Sequence, residues 1–212
     1  AEFITRKIWR EFVSPEPDPV EVRRLAAVFR TSRYDIKSLL RALFTSEVFF
    51  APSHRAVLVK SPVEFTVGTL RLFDVHPQDL RPLALATRNL GQDLFGPPNV
   101  KGWPGGEAWI NSSTLLARRQ LLARLFRAEE IPVERMGPTD KRDRRAHRLD
   151  LAMMDYRFHA ARWFGQFHGV PAQRQEQLRR LVLAAAPHEP PTVTDEAGFL
   201  NALVLDPVYQ LK

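Results

Sequence analysis

The sequence predicts an all-α fold: a compact multi-helix domain crossed by one long structured loop rich in Pro, Gly and Trp. Two observations predict it. Apolar residues recur at helical spacing along nearly the whole chain, and no stretch alternates with period two over a useful length. A third concerns punctuation: prolines and glycines collect in a few short stretches, where they break the helices.

The elements follow in order. Glu2–Phe12 places Ile4, Ile8 and Phe12 at i, i+4 spacing, with Phe3 and Trp9 beside them. The chain starts inside this helix with neither a Met nor a cap, so it reads as a fragment whose front portion is missing. Three alternating prolines at Pro15, Pro17 and Pro19 end that helix. Asp18 then caps a helix starting at Pro19, with Val22, Leu25, Ala26 and Phe29 as its stripe. A third helix runs from Asp35 through Leu39, Leu40, Leu43 and Phe44, and Phe49 and Phe50 close it before Pro52. Residues 51–60 read as a loop.

Ser61-Pro-Val-Glu64 is the clearest helix start. Ser61 can cap the Glu64 amide, Glu64 can reach back to the Ser61 amide, and Pro62 takes the first helical position. The next helix spans about Pro77–Leu94, and Pro82 suggests that its main body begins there. Residues 95–111 form the loop, after which Ser112 or Ser113 caps a helix through Leu115, Leu122 and Phe126. Residues 128–140 read as a linker. A long helix is predicted from about Asp140 to Phe167, and two more near Pro171–Ala185 and Thr194–Leu205. The expected organisation is therefore a helical core over 1–127, the linker, and C-terminal helices over 141–212 packing on the same core, with the loop pinned across the first helices.

Composition excludes several classes. Hydrophobic residues are 44% and charged residues 26% of the chain, inside the globular range. No cysteine is present, which excludes disulfides, Cys-ligated metals and a thiol nucleophile. No apolar run approaches the ~18 residues of a membrane span. The net charge is +7, and 25 of the 31 basic residues are arginine. The excess concentrates between Arg118 and Arg148, where ten basic residues face five acidic ones. Arg142, Arg144, Arg145 and Arg148 are the polyanion candidates of this window. Lys141–Arg148 contains no aromatic residue, which weighs against nucleic acid and toward an acidic protein or polymer, or a solvated helix face.

The loop is the most unusual passage. It holds Gly96, Gly102, Gly105 and Gly106, the stiffening prolines Pro97, Pro98 and Pro104, and two tryptophans. Asn99, Lys101, Trp103, Trp109 and Asn111 are its candidate contact residues: the indoles offer stacking area, the amides directional hydrogen bonds. The competing reading has both indoles plugging the core. Gly102-Trp-Pro-Gly-Gly106 is no phosphate loop, since no Lys-Ser/Thr follows, and no other cofactor motif is present. Lys60, Glu64 and Arg71 form a supporting set on or beside the capping-box helix, expected to hold the loop through an ion pair to Glu64; a raised Glu64 pKa would instead make it a general acid. Asp155 with His159, and His147 with Asp150, sit one turn apart, a spacing that fits ion pairing better than a metal, so no metal site is expected.

Three stretches together resemble a known family: Phe3–Val13, Lys60-Ser-Pro-Val-Glu-Phe65, and Leu90-Gly-Gln-Asp-Leu-Phe-Gly-Pro-Pro-Asn-Val-Lys-Gly-Trp-Pro-Gly-Gly106 with Trp109-Ile-Asn111. They are similar to the C-terminal half of the large bacterial domain-of-unknown-function family numbered 1800. The ending Phe199–Gln210 resembles the family's closing helix more loosely. Family members are usually longer, often exported, and tend to be encoded beside a sulfatase-like exported protein. The resemblance thus implies a periplasmic or secreted protein, without an activity or catalytic residues to carry over; composition alone is equally compatible with the cytoplasm. Three functions stand open: a ligand- or partner-binding module using the loop; a hydrolase on exported polymer or carbohydrate, with Glu64, Asn99, Lys101 and Trp103 near a cleft shared with the missing half; and a polyanion binder using 118–148.

Overall fold

The computed structural model describes residues 1–127, Tyr156, 158–193 and 195–212. Among these residues the secondary structure is helical, apart from one isolated antiparallel bridge between Val59 and Leu211. The all-α expectation holds. The chain divides into two compact units, one of residues 1–59 with 211–212 and the other of residues 60–210.

The first unit is built on α1 (Glu2–Phe12), α2 (Pro19–Thr31) and α3 (Ile36–Phe44), followed by 3-10 turns at Glu47–Phe50 and Pro52–His54. Asp18 caps α2 by accepting from the Val20 and Glu21 amides, and Asp35 caps α3 in the same way. The core comprises Trp9, Val13, Val22, Leu25, Phe29, Leu39 and Leu43. The face of α1 departs from expectation: Thr5 and Trp9 are buried, whereas Ile4 and Phe12 are exposed. The buried stripe is offset by one residue because the largest side chain takes the interior. Trp9 can do so because its indole N–H donates to Ser14 Oγ at 2.8 Å, so no polar group is stranded.

The second unit holds α4 (Pro62–Leu72), α5 (Arg81–Asn89), α6 (Ser112–Arg127), α7 (Ala160–Phe164), α8 (Pro171–Val182) and α9 (Glu196–Leu205). The capping box is present as expected: Ser61 Oγ accepts from the Glu64 amide at 3.2 Å, and Glu64 Oε2 accepts from the Ser61 amide at 2.8 Å. The main body of α5 starts beside Pro82, as its ring requires. α8 and α9 are shorter than expected. α9 begins one residue after Asp195, whose side chain accepts from the Gly198 amide. One large core unites Phe65, Phe73, Leu90, Leu122, Tyr156, Trp163, Leu178, Leu203 and Tyr209. Within it Phe73, Phe126, Phe158 and Trp163 pack edge to face or tilted, with centroids 4.8–5.7 Å apart.

The long helix expected over 140–167 falls mostly outside the described residues. Its described end is not continuous helix: only Ala160–Phe164 is helical, and Tyr156, Phe158 and His159 are not. Tyr156 and Phe158 are both buried in the core of the second unit. The linker at 128–140 also lies outside the described residues.

Candidate functional site

The loop grows out of the end of α5. Gly91, at φ +101°, turns the chain, and the Trp109 ring lies 3.9 Å from where a Cβ on Gly91 would sit. The Gln92 side chain accepts from the Val63 amide at 3.0 Å, tying the loop's first residues to the start of α4. Asp93 faces Arg88 at 3.4 Å.

Two tight turns follow. The Gly96 amide donates to the Asp93 carbonyl at 2.9 Å, with Leu94 and Phe95 at the corner. The Gly102 amide donates to the Asn99 carbonyl at 3.0 Å, with Val100 and Lys101 at that corner. Asn99 Oδ1 also accepts from the Lys101 amide at 2.8 Å. Phe95 adopts φ +67°, a left-handed conformation that suits Gly and not an aromatic residue. Its ring is 97% exposed, and Val100 is fully exposed. Gly102 and Gly105 take positive φ beyond the second turn, where a side chain would be strained.

The loop ends on a 3-10 turn, Gly106–Trp109. Trp109 is 7% exposed. Its carbonyl accepts from Thr114 Oγ1 at 3.0 Å. Asn111, rather than Ser112 or Ser113, caps α6: Asn111 Oδ1 accepts from the Thr114 amide and the Asn111 amide donates to Thr114 Oγ1, both at 2.9 Å. Serine at either position was the sequence expectation; Asn111 prevails because Thr114, three residues on, returns its hydrogen bond.

The five loop candidates therefore have different situations. Asn99 and Lys101 are exposed at the second turn, Trp103 is half-buried, Asn111 is committed to the cap, and Trp109 is an interior anchor unavailable to a ligand. Sequence spacing does not distinguish the two indoles. Leu94, Phe95 and Val100, absent from the candidates, supply the exposed apolar surface. Apolar residues in a Pro/Gly-rich stretch, where polar residues are usual at turn corners, are the signal that would have found them.

The supporting set centres on Lys60. The Lys60 ammonium donates to the Tyr209 carbonyl at 2.7 Å and sits 4.2 Å from the Tyr209 ring centroid. The Lys60 amide donates to the Gln210 carbonyl at 2.8 Å. Arg118, 0% exposed, completes the group. It donates to Gln210 Oε1 at 3.1 Å and to the Lys60 carbonyl at 2.8 Å, and stacks on the Phe65 ring at 4.8 Å. Among the described residues its Nε has no hydrogen-bond partner. Burial draws the Lys60 pKa down to about 8; the Arg118 charge adds to this and Glu64 opposes it. Burial likewise lowers Arg118 to about 10 and raises the Tyr209 phenol, whose oxygen is 2.8 Å from Thr69 Oγ1. Arg71 is exposed near the end of α4, outside this group. Lys60 and Glu64 are close enough to interact, but the guanidinium of the group is Arg118. The arrangement is a clamp between residue 60, α6 and the chain at 209–210.

Arg142, Arg144, Arg145 and Arg148 lie outside the described residues, as do His147, Asp150 and Asp155. Arg118, the first arginine of that basic window, is buried and offers no surface charge. Among the described residues no group of three His, Asp or Glu could hold a metal ion, and no helix is long and apolar enough to cross a membrane. A groove of about 460 Å³ lies between Arg119 of α6, the 188–193 segment and Ala202, Leu205 and Asp206. Asp206 is not free there: its carboxylate accepts from the His188, Glu189 and Val208 amides.

The model of the DUF1800 family, described as a protein of unknown function, matches residues 1–211. The chain belongs to the DUF1800 family. No curated protein and no solved structure matches it. The family match runs through both units and includes the loop and the clamp.

Proposed function

We propose that this DUF1800 chain is a binding module whose contact face is the outer part of the 95–111 loop. One observation carries the reading: Phe95 and Val100 point fully into solvent from two hydrogen-bonded turns, while Trp109 of the same loop is buried. A loop that fixes one end inside and displays apolar corners outside is shaped for contact rather than for folding alone. Lys101 and the half-buried Trp103 complete the face. The groove beside Arg119 is lined by none of Glu64, Asn99, Lys101 and Trp103, so that groove does not support the hydrolase reading. The family resemblance offers an exported sulfatase-like protein as occupant and the basic charge balance an acidic polymer, and export to the periplasm or beyond belongs to the same proposal. Nothing in the loop's chemistry selects either occupant.

A photoreactive side chain at position 100, in cells making the chain, tests the reading. The expected result is an adduct absent when the probe stands at Leu181, an exposed position on α8, and lost with Phe95→Gly. Adducts of equal yield at both positions, or none at position 100, would overturn it.

A further inference from the structure

We infer that the tip of this loop, Leu94–Trp103, docks on an anionic lipid surface, with Phe95 and Val100 entering the headgroup layer. The inference rests on the binding-module reading and names its occupant. Four observations carry it.

The first is the identity of the corner residues. Both turns place apolar side chains where the chain is most exposed, Leu94 and Phe95 in one and Val100 in the other. Phe95 holds an unfavourable φ to do so, where Gly would be relaxed. The second is shape. Each corner is a tight hydrogen-bonded turn whose apolar side chain stands almost wholly in solvent, a form suited to entering between lipid headgroups.

The third is backbone chemistry. Entry into a poorly hydrated layer costs free energy for each unsatisfied N–H. Here the Gly96, Lys101 and Gly102 amides already donate within the loop and Pro97, Pro98 and Pro104 have no N–H, which reduces this cost without removing it. The fourth is charge. From Leu94 to Gly106 the chain has no carboxylate, and Lys101 is its one charged residue, at the second corner. Asp93 and Glu107 flank this stretch, and the chain's net +7, most of it between Arg118 and Arg148, draws the protein as a whole toward an anionic surface. Trp103, two residues beyond Lys101 and half-buried, adds the aromatic residue type that such boundaries favour.

Vesicle flotation tests the inference, using the full chain with phosphatidylglycerol–phosphatidylethanolamine vesicles and, for comparison, pure phosphatidylcholine vesicles. The expected result is flotation with the anionic vesicles, weakened at least tenfold by Val100→Asp and by Phe95→Gly, with thermal melting no lower than wild type. Phe95→Gly suits the turn's φ, so its loss of binding would not reflect misfolding. Lys101→Glu should weaken flotation and flatten its salt dependence. Absence of flotation overturns the lipid assignment. So does flotation that Val100→Asp and Phe95→Gly leave unchanged, since adsorption would then run through other basic residues. Lipid-free self-association abolished by the same variants would reassign the tip to a second copy of the chain. A protein adduct at position 100 without vesicle binding overturns the lipid assignment and leaves the binding module standing; neither adduct nor vesicle binding removes both.

Discussion

The guanidinium of Arg118 donates 2.8 Å to the carbonyl of Lys60, a residue 58 positions earlier whose own ammonium is turned toward Tyr209. Two cations thus share one partly dry neighbourhood, anchored on carbonyl, amide and aromatic partners. The cost of that arrangement is the source of the first prediction.

Lys60 has a folded pKa of about 8 against an ordinary 10.5. Between those values the unfolded chain holds the proton that the folded chain has released, so unfolding takes up a proton. Stability from this group therefore rises as pH increases from about 8 to 10.5 and is smallest below 8, where charged Lys60 is buried at full cost. Urea titrations of wild type and Lys60→Met at pH 7 and pH 9.5 check this. The wild type should gain on the variant by roughly 1–2 kcal/mol at the higher pH. A constant difference would count against the burial of the ammonium.

Arg118→Ala should cost about 3–5 kcal/mol, because it strands the Lys60 carbonyl and Gln210 side chain and empties a buried volume. Arg118→Met, which refills the space and removes the charge beside Lys60, should cost less. The Lys60 pKa measured in Arg118→Met should move upward. Chemical denaturation and titration by NMR provide the readings.

The tryptophans of the loop should separate by stability. Trp109→Ala should lose about 3 kcal/mol or more, since its indole is buried against Gly91. Trp103→Ala, from a half-buried site, should lose about 1 kcal/mol. Equal losses in calorimetry would place both indoles in the interior.

Phe95→Gly should raise stability by about 1 kcal/mol by relieving the left-handed backbone. The same substitution is expected to abolish contact by the loop. Gain in one assay with loss in the other is the signature of strain kept for recognition. Asn111→Ala should cost about 1 kcal/mol through the lost cap of α6, visible as a lower melting temperature.

Much of this architecture can be read from local sequence. The Ser61–Glu64 box and the Asp18 cap are written within three residues, so pattern alone places them. The prolines place the start of α5. Long-range features escape: Arg118 meets partners 58 and 92 positions away, and nothing near it separates a buried arginine from a surface one. The α1 stripe is misplaced by one because periodicity weighs Ile4 and Trp9 alike, whereas burial favours the larger ring once Ser14 takes its N–H. Within the loop, Pro/Gly density marks the site, but it does not say which aromatic residues turn inward. The exposed Phe95 is invisible to rules that count apolar residues toward a core.

The hydrogen bonds from the Lys60 amide and ammonium to Gln210 and Tyr209 bring the first and last residues of the 60–210 unit side by side. A segment that enters and leaves at one point can be lifted out and spliced into a surface turn of a host protein without stretching either junction. The natural termini of that segment could equally be fused and new ones opened elsewhere, giving a permuted cassette in which the lipid-facing tip is carried intact.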